Sequence, residues 1–141
     1  MAKGKITGIG GIFFKCDDPV GLRNWYAENF DISTNEYGAM FQFREAENPD
    51  KKAYLQWSTF SKDSDYLQPS EKEFMINYRV TNIEDLVESL KAKGIKVIGN
   101  IQEFEYGKFA HVMDPEGNKI ELWEPVDTEF DNDYNNRSDK G

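Results

Sequence analysis

His111 is the only histidine in the 141-residue chain, and Glu121 lies a short way downstream. Between them runs Asp114-Pro115-Glu116-Gly117-Asn118. This is turn chemistry, with proline fixing φ and glycine or asparagine accepting positive φ. If the hairpin is symmetric about Glu116, His111 faces Glu121 across two strands. A histidine beside a carboxylate can pass protons near neutral pH, which makes His111 and Glu121 candidate catalytic residues. Two other readings stay open: a metal held by Glu121 with a neighbour, and a carboxylate that only hydrogen-bonds a ligand in a cavity. Cys16 is the one cysteine, which excludes an intrachain disulfide. It ends an apolar run and reads as a small buried residue.

These residues need strands to position them. Gly107 to Pro125 alternates as a strand pair, with Ile120 and Leu122 on one face and Lys119, Glu121 and Trp123 on the other. Ile6 to Cys16 is a glycine-rich strand, and Asp17-Asp18-Pro19 starts a helix whose Leu22, Trp25, Tyr26 and Phe30 form an apolar stripe expected to face a core. Two further strands are expected over 39–45 and 53–60. The segment 61–72 is polar, contains Pro69 and reads as a connector. The pattern then restarts. Glu73 to Val80 alternates, Thr81 with Glu84 predicts a capping box, Ile83, Leu86, Val87 and Leu90 form a stripe, and Gly94 closes the helix.

Displacing the first half by 64 positions lays Gly11 on Met75, and near the ends of the halves an offset of 65 lays Gln56 on Glu121. One β-α-β-β-β unit is thus used twice. Each unit has one helix for one sheet face. The predicted architecture is α+β, two βαβββ modules (5–60 and 73–126, joined by 61–72) whose curled mixed sheets enclose a cavity. The alternation directs Phe13, Met75, Asn77, Arg79 and Trp123 into it, with Lys15, Lys119 and Glu121. Apolar walls with a few polar groups suit a small organic ligand. Lys15 and Arg79 occupy equivalent positions and could bind a carboxylate or phosphate, or end their strands in solvent.

A formal charge of −9 argues against nucleic-acid and anionic-membrane partners, which need clustered Lys and Arg. Much of the excess lies in 127–141, acidic, aperiodic and expected to be unordered. No apolar run is long enough to span a membrane and Met-Ala-Lys-Gly does not open a signal peptide, so a cytoplasmic location is expected.

The motif G-K-F-A-H-V-M-D-P-E-G-N-K-I-E-L-W-E-P, with W-Y-A-E-N-F and V-T-N-I-E-D-L-V-E-S-L-K-A-K-G, resembles the vicinal oxygen chelate superfamily, which includes glyoxalase I, bleomycin-resistance proteins and extradiol dioxygenases. The resemblance covers Ile6 to Pro125 and implies paired βαβββ modules in a homodimer. In metal-dependent members a divalent ion (Zn, Ni, Mn or Fe) is held from the first and last strand of each module, which here are Gly11, Gln56, Met75 and Glu121. Glu121 matches the family glutamate. Gln56 is a substitute oxygen or nitrogen ligand, Gly11 has no side chain to offer, and Met75 is a soft thioether where histidine is usual. The full metal site is therefore not expected; any ion would rest on Glu121 and Gln56. What the resemblance implies is a glyoxalase I-like lyase or isomerase for a small organic substrate, or a metal-free binding protein of the bleomycin-resistance type.

Overall fold

The computed structural model describes residues 4–135. Strand β1 (Ile6–Cys16) leads into helix α1 (Pro19–Phe30), followed by β2 (Thr34–Asn35), β3 (Gly38–Glu45) and β4 (Asn48–Ser61). The second half repeats the plan: β5 (Phe74–Val80), α2 (Ile83–Ala92), β6 (Val97–Phe104), β7 (Gly107–Met113) and β8 (Lys119–Pro125). A 3-10 turn (Asp127–Phe130) and a short helix α3 (Asp131–Asn135) follow. The fold is α+β, with two βαβββ-like modules joined into one eight-stranded mixed sheet of order β2-β3-β4-β1-β5-β8-β7-β6. The seam is β1 against β5, antiparallel, with Phe13 beside Met75 and Gly11 beside Asn77. The modules therefore pair within the chain.

Local chemistry sets the element ends. Asp18 caps α1 by accepting from the Gly21 N–H at 3.0 Å, and Pro19 occupies the first turn. In the β7–β8 turn Asp114 Oδ1 accepts from the backbone N–H of Glu116 and Asn118, each at 2.9 Å, and Gly117 takes φ +84°. The resulting register sets His111 opposite Glu121, as the symmetric hairpin requires. The capping box predicted for α2 does not form. Asn82 is the N-cap residue in left-handed conformation with no side-chain cap, and the Ile83 N–H is instead taken by Glu124 Oε1 at 2.8 Å. A β8 carboxylate thus satisfies one of the donors a helix start leaves unpaired.

The main core lies where α2 covers the second module, with Val80, Ile83, Val87, Ala110, Val112 and Leu122 buried. Each of the buried valine, isoleucine and leucine side chains contributes about 1.5–3 kcal/mol through its burial. The α1 stripe behaves differently. Tyr26 packs edge-on against Trp57 of β4, but no α1 residue is fully buried, and Trp25 and Phe30 are 50% and 62% exposed.

The connector and the tail also differ from expectation. Residues 61–72 fold back over the sheet, burying Leu67 completely against Phe13 and Met75. The segment expected to be unordered is structured over 127–135: Asp127 pairs with Arg79, Asp131 accepts from the Tyr54 hydroxyl, and Phe130 packs against Trp123. Buried partners elsewhere in the chain supply the order that local periodicity lacks. Residues 136–141, the rest of that tail, and residues 1–3 lie outside the described residues.

Candidate functional site

Glu121 stands at the middle of β8 with its side chain 3% exposed. Three polar side chains converge on it. Asn77 Nδ2 gives a hydrogen bond to Oε1 at 2.7 Å, His111 Nε2 lies 2.8 Å from Oε2, and the Tyr66 hydroxyl donates to the same Oε2. Tyr66 Oη is also 3.4 Å from His111 Nε2, so imidazole, phenol and carboxylate form one cluster. The ladders explain the convergence: β7 and β8 pair His111 with Glu121, and β5 and β8 pair Asn77 with Glu121. Desolvating a carboxylate costs several kcal/mol unless it is hydrogen-bonded, and these contacts offset that cost.

Tyr66 is the member that sequence reading missed. It comes from the connector, and its one signal was an aromatic-aliphatic pair, Tyr66-Leu67, in an otherwise polar stretch. Leu67 anchors the loop in the core. Lys119, 7% exposed, holds Tyr66 from below, donating from Nζ to the Tyr66 carbonyl at 2.6 Å with its ammonium 5.2 Å from the ring centre. Burial lowers the Lys119 pKa, with Glu121 and Asp65 opposing.

Burial pushes the Tyr66 hydroxyl well up, and the charge of Glu121 and the hydrogen bond to it push it further. The sign follows directly. An unfolded tyrosine ionises at about pH 10, so above that pH the unfolded chain holds fewer protons than the native one and stability falls as pH rises. Tyr66→Phe is expected to cost about 1–3 kcal/mol at neutral pH by removing a hydrogen bond to a charged group. It should also remove part of the alkaline loss. Denaturant titrations at neutral pH and above pH 10 check both, and an unchanged alkaline loss in the variant would count against this placement.

A cleft of about 780 Å³ borders the cluster and adjoins an inner compartment of about 140 Å³. Phe13, Gln56, Phe109, Glu121 and Phe130 line both. Asn77 and Trp123 line the inner compartment only, and Tyr66 only the outer cleft. The other anticipated residues lie elsewhere. Met75 is buried beside Phe13 and Leu67. Gly11 lies in the seam, and it is Gly10 that opens onto the inner compartment. Arg79 is 3% exposed and engaged: Nη1 and Nη2 contact Asp127 at 2.8 and 2.7 Å, and Nε contacts Glu45 at 3.0 Å. Burial alone would lower its pKa, but Asp127 and Glu45 outweigh it and hold the guanidinium above its ordinary value. The Cys16 thiol is pushed up, chiefly by burial, which agrees with a passive residue.

The sheet register also revises the repeat. Gly11 lies beside Gln56 and Asn77 lies beside Glu121, so by register the counterpart of Gly11 is Asn77, two residues beyond Met75. The four positions are then a glycine, two amides and one carboxylate. These residues do not fit a divalent ion. Glu121 is the single anionic group and both its oxygens already accept hydrogen bonds. Gln56 Nε2 donates to the Tyr37 carbonyl at 2.9 Å, and Asn77 turns its amide N–H₂ toward Glu121. Among the described residues no group of three or more His, Cys, Asp or Glu is arranged to hold a metal.

No protein-family signature and no curated protein matches the chain. Solved structures do. Methylmalonyl-CoA epimerase from Mycobacterium tuberculosis aligns over 92% of this chain and 95% of its own, at 16% identity and a TM-score of 0.59. A Streptomyces coelicolor methylmalonyl-CoA epimerase variant in complex with 2-nitronate-propionyl-CoA aligns over 86% of this chain and 99% of its own, at 12% identity and a TM-score of 0.64. An NAD-dependent benzaldehyde dehydrogenase structure from Legionella pneumophila aligns over 82% and 97%, at 13% identity and a TM-score of 0.51. At these identities the likeness is one of fold.

Proposed function

We propose, for a chain that has the fold of the vicinal oxygen chelate superfamily, a glyoxalase-related lyase or isomerase that moves a proton on a small organic carbonyl compound without a metal. One observation carries this reading: the His111 imidazole and the Tyr66 hydroxyl meet on one oxygen of a buried carboxylate that borders a cleft of about 780 Å³. Asn77 alone would satisfy an inert carboxylate oxygen; a histidine and a phenol add groups able to give and take protons. Glu121 acts as base toward a C–H next to a carbonyl, His111 exchanges the proton with it, and Tyr66 and Asn77 fix the carboxylate. Epimerisation at such a carbon is a proton exchange too, so the solved neighbours support the reaction class. Their acyl-CoA ligand type is not carried over, because among the described residues no lysine or arginine lines the cavity to meet phosphates.

The curled sheet belongs to the same reading. Met40 of β3 and Gln102 of β6 line one cleft although six strand steps separate β3 from β6 in the sheet order. In a flat sheet they would stand about 29 Å apart at about 4.8 Å per step. The homodimer implied by the resemblance is likewise part of it, with the exposed Trp25 and Phe30 as apolar surface for a second copy to cover. No described helix is long and apolar enough to cross a membrane.

The test is isomerisation of the methylglyoxal hemithioacetal to the 2-hydroxy thioester, in deuterated water, with EDTA present. The hemithioacetals of 2-mercaptoethanol and of glutathione are compared. Turnover insensitive to EDTA and to added nickel or zinc is expected. Turnover only on adding metal, or none with either thiol, overturns the reading. The alternative, binding without turnover, is favoured by one observation: both Glu121 oxygens already accept hydrogen bonds, from Asn77 and from Tyr66, so neither stands free toward a ligand.

A further inference from the structure

The inner and outer compartments meet at a neck, marked by the seven residues that line both. Six of them belong to the sheet or to the β6–β7 turn. The seventh, Phe130, belongs to the 127–135 segment, which stands outside both βαβββ modules. Its ring reaches across the neck. The Phe130 centroid lies 5.7 Å from that of Tyr54 on β4 and 6.2 Å from that of Tyr106. It lies 5.6 Å from that of Trp123 on β8, with the two ring planes at 88°. β4 and β8 belong to different modules and are three steps apart in the sheet order, so one ring joins both walls.

Behind this ring is a space of about 140 Å³ whose exposed surface is almost all apolar, from side chains that include Phe13, Met40, Tyr54 and Trp123. An apolar cavity of about 150 Å³ stays empty of water and takes one benzene ring.

The segment that carries Phe130 has little order of its own. It holds Asp127, Glu129, Asp131 and Asp133, no basic residue, no fully buried residue and a helix of five residues. A helix that short is not stable by itself. At its start Asp127 is anchored by both terminal nitrogens of the buried Arg79. Further on, the Tyr54 hydroxyl donates to Asp131 while accepting from Gln42 Nε2 at 3.0 Å, and Tyr134 packs against the Tyr54 ring. A segment held by so few contacts opens far more often than the strands of a core.

We propose that the inner compartment is a subsite for one neutral apolar group of phenyl size, and that Phe130 is its gate. The gate swings on the Asp127 anchor when the Tyr54–Asp131 latch opens. This rests on the reading that the cavity takes a small organic molecule, and it does not require that the molecule be transformed. Glu121 lines both compartments, so a group seated in the inner one sets the rest of the ligand beside the carboxylate.

Loosening a gate speeds entry and release by one common factor and leaves affinity unchanged, whereas damage to a subsite weakens affinity. Fluorine NMR on the full chain with fluorobenzene reads both, the Kd by titration and the release rate by saturation transfer. Asp131 lines neither compartment, so Asp131→Ala changes the latch and not the subsite. It is expected to raise the release rate about tenfold, as loss of a hydrogen bond to a charged group predicts, with Kd unchanged. Tyr54→Phe should do the same from the other side of the latch. Phe130→Ala should release fastest and bind more weakly, and circular dichroism confirms the fold of each variant. Unchanged release in both latch variants, affinity lost in step with the faster release, or no fluorobenzene binding overturns the proposal. Hemithioacetal turnover without fluorobenzene binding would refute this inference and leave the proposed function standing. Gated binding without turnover would do the reverse.

Discussion

Replacing Arg79 by leucine is expected to remove about 3–5 kcal/mol of stability, the range found when one member of a buried ion pair is deleted. The guanidinium is 3% exposed and contacts two carboxylates, Asp127 through both terminal nitrogens and Glu45 through Nε, while Nη1 also reaches the Tyr54 carbonyl at 3.2 Å. It lies 5.5 Å from the ring centres of both Phe43 and Trp123. Leucine keeps some packing but leaves Glu45 and Asp127 mostly buried, alike in charge and without a cation. Small domains have only about 5–15 kcal/mol in total, so the urea midpoint should fall steeply. Asp127→Asn should cost less, about 1–3 kcal/mol, because Glu45 still meets the charge. It should also expose the 127–135 segment to proteolysis before the rest of the chain. An unfolding free energy for Arg79→Leu within about 1 kcal/mol of the parent would show that the pair contributes little.

Glu121→Gln is the second large effect. The substitution keeps shape, removes charge and reverses the hydrogen-bond roles on one side of the cluster. A glutamine amide must turn its oxygen to Asn77 Nδ2 and its N–H₂ to the Tyr66 hydroxyl and His111 Nε2, which then have to accept where they now meet a carboxylate oxygen. Activity should drop by about 10²–10⁴-fold, the range for loss of a general base. Stability should change by only about 1–3 kcal/mol, so the folded variant can be assayed. Hemithioacetal turnover retained in Glu121→Gln would defeat the role given to this carboxylate while leaving its structural placement intact.

The hairpin was legible because two independent signals agreed there, turn residues at 114–118 and alternation on either side. The βαβββ repeat was legible for a similar reason. The exact repeat offset was not: β1 has irregular register against β5 between Ile6 and Gly8 and between Ile9 and Gly11. The glycines at 8, 10 and 11 suggest a bulge or bend in that strand, but not how many residues it adds. That irregularity is why Met75 was aligned where Asn77 stands. The α1 stripe was correctly seen as apolar, but periodicity says only which residues share a face and not how much sheet lies beneath them. Tyr66 and Asp127 were the hardest to see. Their partners Glu121 and Arg79 are far away in sequence, and local pattern carries no information on such pairs.

The three tryptophans occupy different surroundings. Trp25 is half exposed on α1, Trp57 is partly covered by Tyr26 and Phe14, and Trp123 is 3% exposed, stacked on Phe109 and facing the inner compartment. The molecule therefore carries its own optical probe of occupancy. Iodide in solution quenches an indole it can reach, which is Trp25. The blue-shifted emission that survives quenching comes largely from Trp123, on the wall a ligand would touch.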